Sequence, residues 1–249
     1  MARRLQSATS INMYRRCPRK YYLRYIRGLK QRPSIYLIRG SAVHEAIAGF
    51  HQLRLRDNRH PERLKTTLHS LFRDAWLRHT DQLQQLRLGE TILDGYYQES
   101  WDMLSGWLNR YLKQGRRIFR KTSAEVKLFS KTYYIMGIVD AIERHQNRVM
   151  ITDYKTSKKD DITPDIKIQM ALYALLYLDC FGKLPDVVAI DFLKTGIERR
   201  FKVTQRFVDF ALEQVRDIHK KTASTRETDY PCTCGGWCRK EFIWENGGR

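Results

Sequence analysis

Apolar residues recur at steps of three and four over most of the first 120 residues, the spacing that stacks side chains on one face of a helix. Met13, Tyr21 and Tyr25 mark one such stretch and Val43, Ile47 and Phe50 a second, with Gly28 and Pro33 punctuating the interval. A third helical region covers roughly residues 60–80 and a fourth roughly 93–120, where Trp101, Leu104, Trp107, Leu108 and Tyr111 share a face. An aromatic stripe at helical spacing reads as core before it reads as a base-stacking platform.

From residue 124 the period shortens to that of strands. Three apolar segments follow, at 125–129, 133–142 and 149–154, with His145-Gln146-Asn147 as a hairpin turn between the last two. Thr163-Pro164 opens a helix running to about Cys180, because proline suits the first helical turn and Ile168, Ala171, Leu172, Leu175 and Leu176 form a broad apolar face. Val187 to Phe192 reads as a further strand, with another around Phe201-Lys202-Val203, and residues 205–220 as a last helix before a cysteine-rich tail. No repeat or flexible linker divides the chain, so a single domain is expected.

Charge narrows the choice of partner. The 249 residues carry 46 Lys and Arg against 27 Asp and Glu, a formal charge of +19, which attracts a polyanion. Nucleic acid is the first candidate; solubilising decoration is the bland alternative, and no isolated basic amphipathic helix favours an acidic membrane. No run of about 18 apolar residues appears, and MARRLQSATS lacks an apolar stretch leading to a cleavage site, so neither a spanning helix nor a secretory signal is expected. An intracellular, cytoplasmic location follows. The absence of GxxxxGK[ST] argues against an in-chain nucleotide-driven motor.

The candidate chemistry lies on the strands. Asp140 closes the apolar run Met136-Gly137-Ile138-Val139, and Asp153 closes Val149-Met150-Ile151-Thr152, so two neighbouring strands deliver carboxylates to one end of a sheet. Lys155 is two residues past Asp153 and shares its face. Phosphodiester hydrolysis needs a hard divalent cation, which carboxylates and backbone carbonyls can hold, and an activated water, which a lysine can orient. A lone Asp-x-Lys is common by chance, and a strand-end salt bridge explains it equally well.

The surrounding pattern resembles the PD-(D/E)XK nuclease superfamily, and within it the RecB-type branch that includes CRISPR-associated exonucleases and AddB-type nuclease domains. Ser10-x-x-x-Tyr14-x-x-Cys17-Pro18-Arg19-Lys20-Tyr21-Tyr22 is similar to the opening helix of that branch, and Gly40-x-x-x-His44 to its GxxxH helix. Glu125 followed by Gly137-Ile138-Val139-Asp140 resembles its first catalytic strands, Asp153-Tyr154-Lys155-Thr156 its signature, and Gln169-x-x-x-Tyr173 the helix after it. The resemblance implies a restriction-endonuclease-like α/β fold, a mixed central sheet flanked by helices. It divides into a helical part at 1–120, a catalytic core at 121–204, and a helix and cysteine tail at 205–249 packing back on the N-terminus.

It further implies that His44, Asp140, Asp153 and the Tyr154 carbonyl hold Mg2+ or Mn2+, that Lys155 assists the attacking water, and that Gln169 and Tyr173 line the site. Glu125 is left outside this set, since Lys127 or a solvated strand edge accounts for it as well. By residue type alone, His44 is more simply a satisfied core histidine.

Five cysteines are present, at 17, 180, 232, 234 and 238. In an intracellular protein the cluster in PCTCGGWC suggests metal or iron-sulfur ligation rather than disulfides. The branch resemblance implies a [4Fe-4S] cluster on Cys17, Cys232, Cys234 and Cys238, with four-thiolate zinc and unligated thiols as the alternatives; the spacing here is tighter than the usual pattern. Cys180 closes the apolar helix and is expected to be a small buried hydrophobe.

Arg15, Arg16, Arg19, Lys20, Arg24 and Arg27 make the first helix basic, and Lys155, Lys158 and Lys159 bring charge beside the proposed metal site, where a phosphate backbone could be guided. Tyr21, Tyr22 and Tyr25 could stack bases or be core. The expected function is a DNA exonuclease preferring single-stranded ends, in CRISPR spacer acquisition beside an integrase or in recombination and repair. The rivals are a non-catalytic iron-sulfur DNA-binding subunit and a zinc-stabilised RNA-binding module.

Overall fold

In the computed structural model, which describes residues 3–53, 60–113 and 121–243, one five-stranded sheet carries helices on both faces. Strands β1 (Lys121–Ser130), β2 (Ile135–His145), β3 (Arg148–Lys155), β4 (Val187–Phe192) and β5 (Ile197–Lys202) lie side by side in chain order. All neighbours are antiparallel except β3 and β4. A parallel pair needs a crossover, and the helix Pro164–Phe181 supplies it.

The helices before the sheet are α1 (Ala8–Arg16), α2 (Pro18–Tyr21), α3 (Ile35–Gln52), α4 (Pro61–Leu77), α5 (Thr80–Gln85) and α6 (Glu90–Lys113); those after β3 are α7 (Pro164–Phe181) and α8 (Gln205–Lys221). Thr163 caps α7 through its hydroxyl, which accepts from Ile166 N–H, a contact worth about 1 kcal/mol. The middle of α7 is buried on all sides because sheet, α1 and α8 enclose it. One core fills the space between sheet, α7 and α8; a second lies under α3, α4 and α6 against Ala141, Tyr154 and Leu193. The stripe of Leu104, Trp107, Leu108 and Tyr111 belongs to this second core.

Several boundaries differ from expectation for local reasons. Pro18 cannot continue the backbone ladder of α1, so the expected single first helix becomes α1, α2 and a π-helical turn at Tyr22–Ile26. Tyr133 and Tyr134 belong to the β1–β2 turn, with Tyr134 at φ +53°, and β2 starts at Ile135. Gln146 and Asn147 form the two-residue hairpin turn, with His145 paired to Arg148 and Gln146 at φ +53°. β1 and β5 are longer than expected, the latter beginning at Ile197. The end of the fourth helical region, 114–120, lies outside the described residues, as does the end of the tail.

A third cluster joins the two ends of the chain: Cys17, Tyr21, Tyr22 and Leu23 pack on Tyr230, Cys238 and Phe242. Tyr21 and Tyr22 are therefore core. Arg19 and Lys20 are ion-paired to Glu227 and Glu241 of the tail and Arg16 to Asp165, while Arg15 donates to Gln214 and Arg24 to Leu29 O, so much of the basic first helix is used internally. Among the described residues no helix is long and apolar enough to cross a membrane.

Candidate active site

The β2–β3 ladder runs from His145↔Arg148 to Ala141↔Thr152 and stops there. Asp140 and Asp153 are the next residues on each strand, freed from pairing with one another. Asp140 is thus in the middle of β2 and not at its end as expected, because β2 continues along β1; it stands where the pairing with β3 opens. Its Oδ2 accepts the Tyr154 N–H at 2.8 Å, and its Oδ1 lies 3.0 Å from His44 Nδ1 on α3.

Glu125 sits across β1 from Asp140, bracketed by the pairs Ala124↔Ala141 and Val126↔Val139. Its φ is +52°, a left-handed conformation that costs a side-chain-bearing residue about 1–2 kcal/mol. Donor atoms of His44, Glu125 and Asp140 all lie within 4.8 Å of one another. Three elements each bring one donor group, and an imidazole with two carboxylates can hold a divalent cation such as Mn2+ or Mg2+.

The electrostatics agree with that donor set. Burial tends to raise the Asp140 pKa, but His44 and the Tyr154 N–H outweigh it and hold the carboxyl below its ordinary range. Burial tends to lower His44, and Asp140 reverses this, so the imidazole sits above its ordinary value. Glu125 is raised by desolvation in the cleft and by the charge of Asp140. Two carboxylates in contact destabilise each other's charge, and a cation between them relieves it.

Asp153 is 1% exposed, and burial pushes its pKa up. Its Oδ2 lies 2.7 Å from Lys155 Nζ, as strand alternation requires, and its Oδ1 accepts from Gln169 Nε2 at 2.8 Å. Lys155 Nζ also donates to Gln169 Oε1 at 2.7 Å. Gln169 Nε2 reaches the Tyr173 hydroxyl at 2.9 Å, and that hydroxyl donates to Ile138 O at 2.7 Å. Burial, then the charges of Asp153 and Asp140, hold the Tyr173 pKa well above its ordinary value, so it stays a neutral donor. Gly137 permits this approach of α7 to β2: a Cβ there would sit 2.9 Å from Leu176 Cδ1 and 3.1 Å from Tyr173 Cε1.

All seven expected residues, His44, Asp140, Asp153, Tyr154, Lys155, Gln169 and Tyr173, meet at one place. They fall into two adjoining groups. The close triad of donor groups contains Glu125, which was not among the expected ligands, whereas Asp153 faces Lys155 and Gln169. Tyr154 turns its N–H to Asp140 and its hydroxyl to His51 Nε2, 3.1 Å away. A cleft of about 960 Å³ opens over the triad, walled by α3, α4 and the start of the loop after β3.

The second candidate centre is the cysteine set. Sγ atoms of Cys17, Cys232, Cys234 and Cys238 lie within 4.8 Å of one another, Cys232 being 3.7 Å from Cys234 and 3.5 Å from Cys238. Gly236 N–H donates to Cys232 Sγ at 3.3 Å and Cys238 N–H to Cys234 Sγ at 3.2 Å. Backbone N–H groups of Cys234 and Gly236 bring the Cys232 pKa down to about 6, while burial pushes Cys238 up to about 12. Four thiols so placed can hold a metal. Cys180, expected to be buried, is exposed instead at the end of α7, where its Sγ meets only Phe129 O among the contacts described.

Residues 6–240 match the family model of the PD-(D/E)XK nuclease superfamily. No curated protein matches the sequence. The fold is similar to the crystal structure of a candidate exonuclease from Eubacterium rectale, at 12% identity and a TM-score of 0.57, covering 99% of this chain and 91% of that one. A crystal structure of SSO0001 overlaps 56% of this chain and 69% of its own at 17% identity, with a TM-score of 0.29, too loose to bear on the fold.

Proposed function

The chain belongs to the PD-(D/E)XK nuclease superfamily, and on that premise we propose that it is a metal-dependent DNA exonuclease of the RecB-type branch, acting as one domain over residues 1–249 and preferring single-stranded ends. The observation that carries the reading is the junction of the His44, Glu125 and Asp140 donor set with the Asp153–Lys155–Gln169 network. Mg2+ or Mn2+, when bound, supplies a Lewis acid and a water of lowered pKa. His44, Asp140 and Glu125 would hold it, with Asp153 and the Tyr154 carbonyl as the further ligands that the branch resemblance implies.

Lys155 is the group that orients the attacking water, and its ammonium offsets charge developing on the phosphate. Gln169 fixes the Lys155 amine and the Asp153 carboxylate in one hydrogen-bonded frame, and Tyr173 fixes Gln169 against the Ile138 carbonyl. The +19 charge draws the DNA backbone to the protein without regard to sequence. Trimming of spacer precursors beside a CRISPR integrase in antiviral defence, or end processing in recombination and repair, are the settings such an enzyme suits, inside a cell. A non-catalytic DNA-binding subunit would not need Lys155 and Asp153 held as they are.

For the cysteines the branch resemblance points to [4Fe-4S], as a structural staple of tail to N-terminus. The Sγ spacing favours a second reading: a tetrahedral zinc with bonds of about 2.3 Å sets its thiolates about 3.8 Å apart, whereas a four-iron cluster carries them on separate irons, farther apart. Visible absorption with iron and zinc analysis of anaerobically purified protein decides between them. The exonuclease assignment is tested with linear and covalently circular single-stranded DNA in Mn2+. Loss of the linear strand with the circle intact supports it, and equal cutting of both overturns it.

A further inference from the structure

The first turn of α3 leaves two adjacent large apolar side chains, Tyr36 and Leu37, each 56% exposed, at the mouth of the active-site cleft. From the ring and its placement we infer that Tyr36 is a base-stacking platform that binds a single DNA strand on its way to the metal-ligand triad. The inference rests on the nuclease reading and adds to it the group that selects a strand with unpaired bases.

Helix geometry gives the placement. Tyr36, Gly40 and His44 are spaced by four, so they stand one above another on the cleft-facing side of α3, and all three line the cleft. Tyr36 and His44 are eight positions apart, about 12 Å along the axis. That span takes roughly three stacked nucleotides at about 3.4 Å each. Between them Gly40 and Ser41 present little side chain: a Cβ at Gly40 would meet only the Thr156 hydroxyl, at 3.8 Å. A sugar-phosphate chain can therefore lie against α3 from the ring to the triad.

The ring is also held in place. The Arg39 guanidinium lies 5.6 Å from the Tyr36 centroid and 5.8 Å from that of Tyr96, and the two rings meet edge to face at 5.9 Å. Arg39 is 3% exposed and is fixed by Glu99 at 2.5 Å and by the Thr156 carbonyl at 2.9 Å. Thr156 follows Lys155 directly, so one buried arginine ties the platform to the loop leaving the catalytic strand. An exposed aromatic ring buttressed on one side by a fixed cation costs little to order, and base stacking on such a ring tolerates any sequence.

The test is equilibrium binding of a fluorescein-labelled oligothymidylate and of a labelled duplex of equal length to the full chain and its variants. Tyr36→Ala should weaken single-strand binding about tenfold, lower duplex binding much less, and keep the wild-type melting temperature. Tyr36→Phe, which keeps the ring, should restore single-strand affinity. An oligothymidylate with one abasic position should lose affinity for wild type at a single register and lose none for Tyr36→Ala. Equal weakening on both DNAs, or no weakening in Tyr36→Ala, overturns the platform. If wild type cleaves DNA while Tyr36→Ala binds as wild type does, the platform falls and the nuclease reading stands; if wild type binds no oligothymidylate, the platform falls with it.

Discussion

Glu125 faces Asp140 across the β1–β2 ladder from a left-handed backbone, φ +52°, and the two carboxylates share donor distance with His44. Strain of this kind persists where the surroundings impose it and clusters at functional sites. Glycine carries no such penalty at positive φ. Glu125→Gly should leave the melting temperature of metal-free protein equal or higher, while Glu125→Gly and Glu125→Gln both weaken Mn2+ binding by about tenfold or more, since even the partners that merely orient a metal's ligands are worth about that much. Isothermal titration with Mn2+ beside thermal melts reads both quantities; unchanged Mn2+ affinity in both variants removes Glu125 from the ligand set.

Two glycines separate packing from propensity. Gly137→Ala would press a methyl group into Leu176 and Tyr173, an overpacking that costs about 1–3 kcal/mol. Gly95→Ala, at an exposed position of α6 where a Cβ meets nothing within 4 Å, should stabilise by about 0.5–1 kcal/mol. Urea denaturation of both variants checks the opposite signs. A stable Gly137→Ala protein would mean that α7 is free to move off β2, and with it Tyr173.

Much of this arrangement was legible in the sequence, and the omissions have physical causes. Thr163-Pro164 and the apolar face beyond mark α7, and strand alternation alone puts Asp153 and Lys155 on one face. The apolar run ending at Asp140 shows a carboxylate on β2 but not that β2 continues to His145, since only the partner strand determines where a ladder opens. Glu125 is hidden because positive φ at a glutamate leaves no compositional mark; the signal available was its position opposite Asp140. Arg19 and Lys20 look like free cations because their partners, Glu227 and Glu241, are about 200 residues away in sequence.

His219 gives stability a pH dependence outside the active site. Its Nε2 lies 2.9 Å from Tyr133 O, and burial, with a smaller contribution from Arg3, keeps the imidazole pKa below its ordinary value. The unfolded chain then takes up the proton first, so this contribution is full above about pH 6.5 and is lost as pH falls toward the lower folded value. His44, held above its ordinary value, works in the opposite sense over this window, so the effect is read as a difference: from pH 7 to pH 5 the wild-type urea midpoint should drop relative to that of His219→Gln. An identical slope in the variant contradicts the assignment.

A metal held by the four cysteines would tie the two ends of the chain together, and stripping it should loosen them. Cys17 and Cys232 are distant in sequence, and cross-linking a loop of 100 residues or more restricts the unfolded chain by about 4–5 kcal/mol in the entropic account. Cys234→Ser should lower both bound metal per chain and the melting temperature, whereas Cys180→Ser, altering an exposed thiol, should change neither. Full metal content in Cys234→Ser would exclude a four-thiolate site.

If Asp153 and Lys155 carry phosphodiester hydrolysis, digestion of end-labelled single- and double-stranded DNA with and without Mg2+ or Mn2+ reads it out. Wild type should lose label only with metal, and Asp153→Ala and Lys155→Ala should cleave at least about a hundredfold more slowly while remaining folded by circular dichroism. Wild type inert under both metals, or variants that cleave as wild type does, would contradict it.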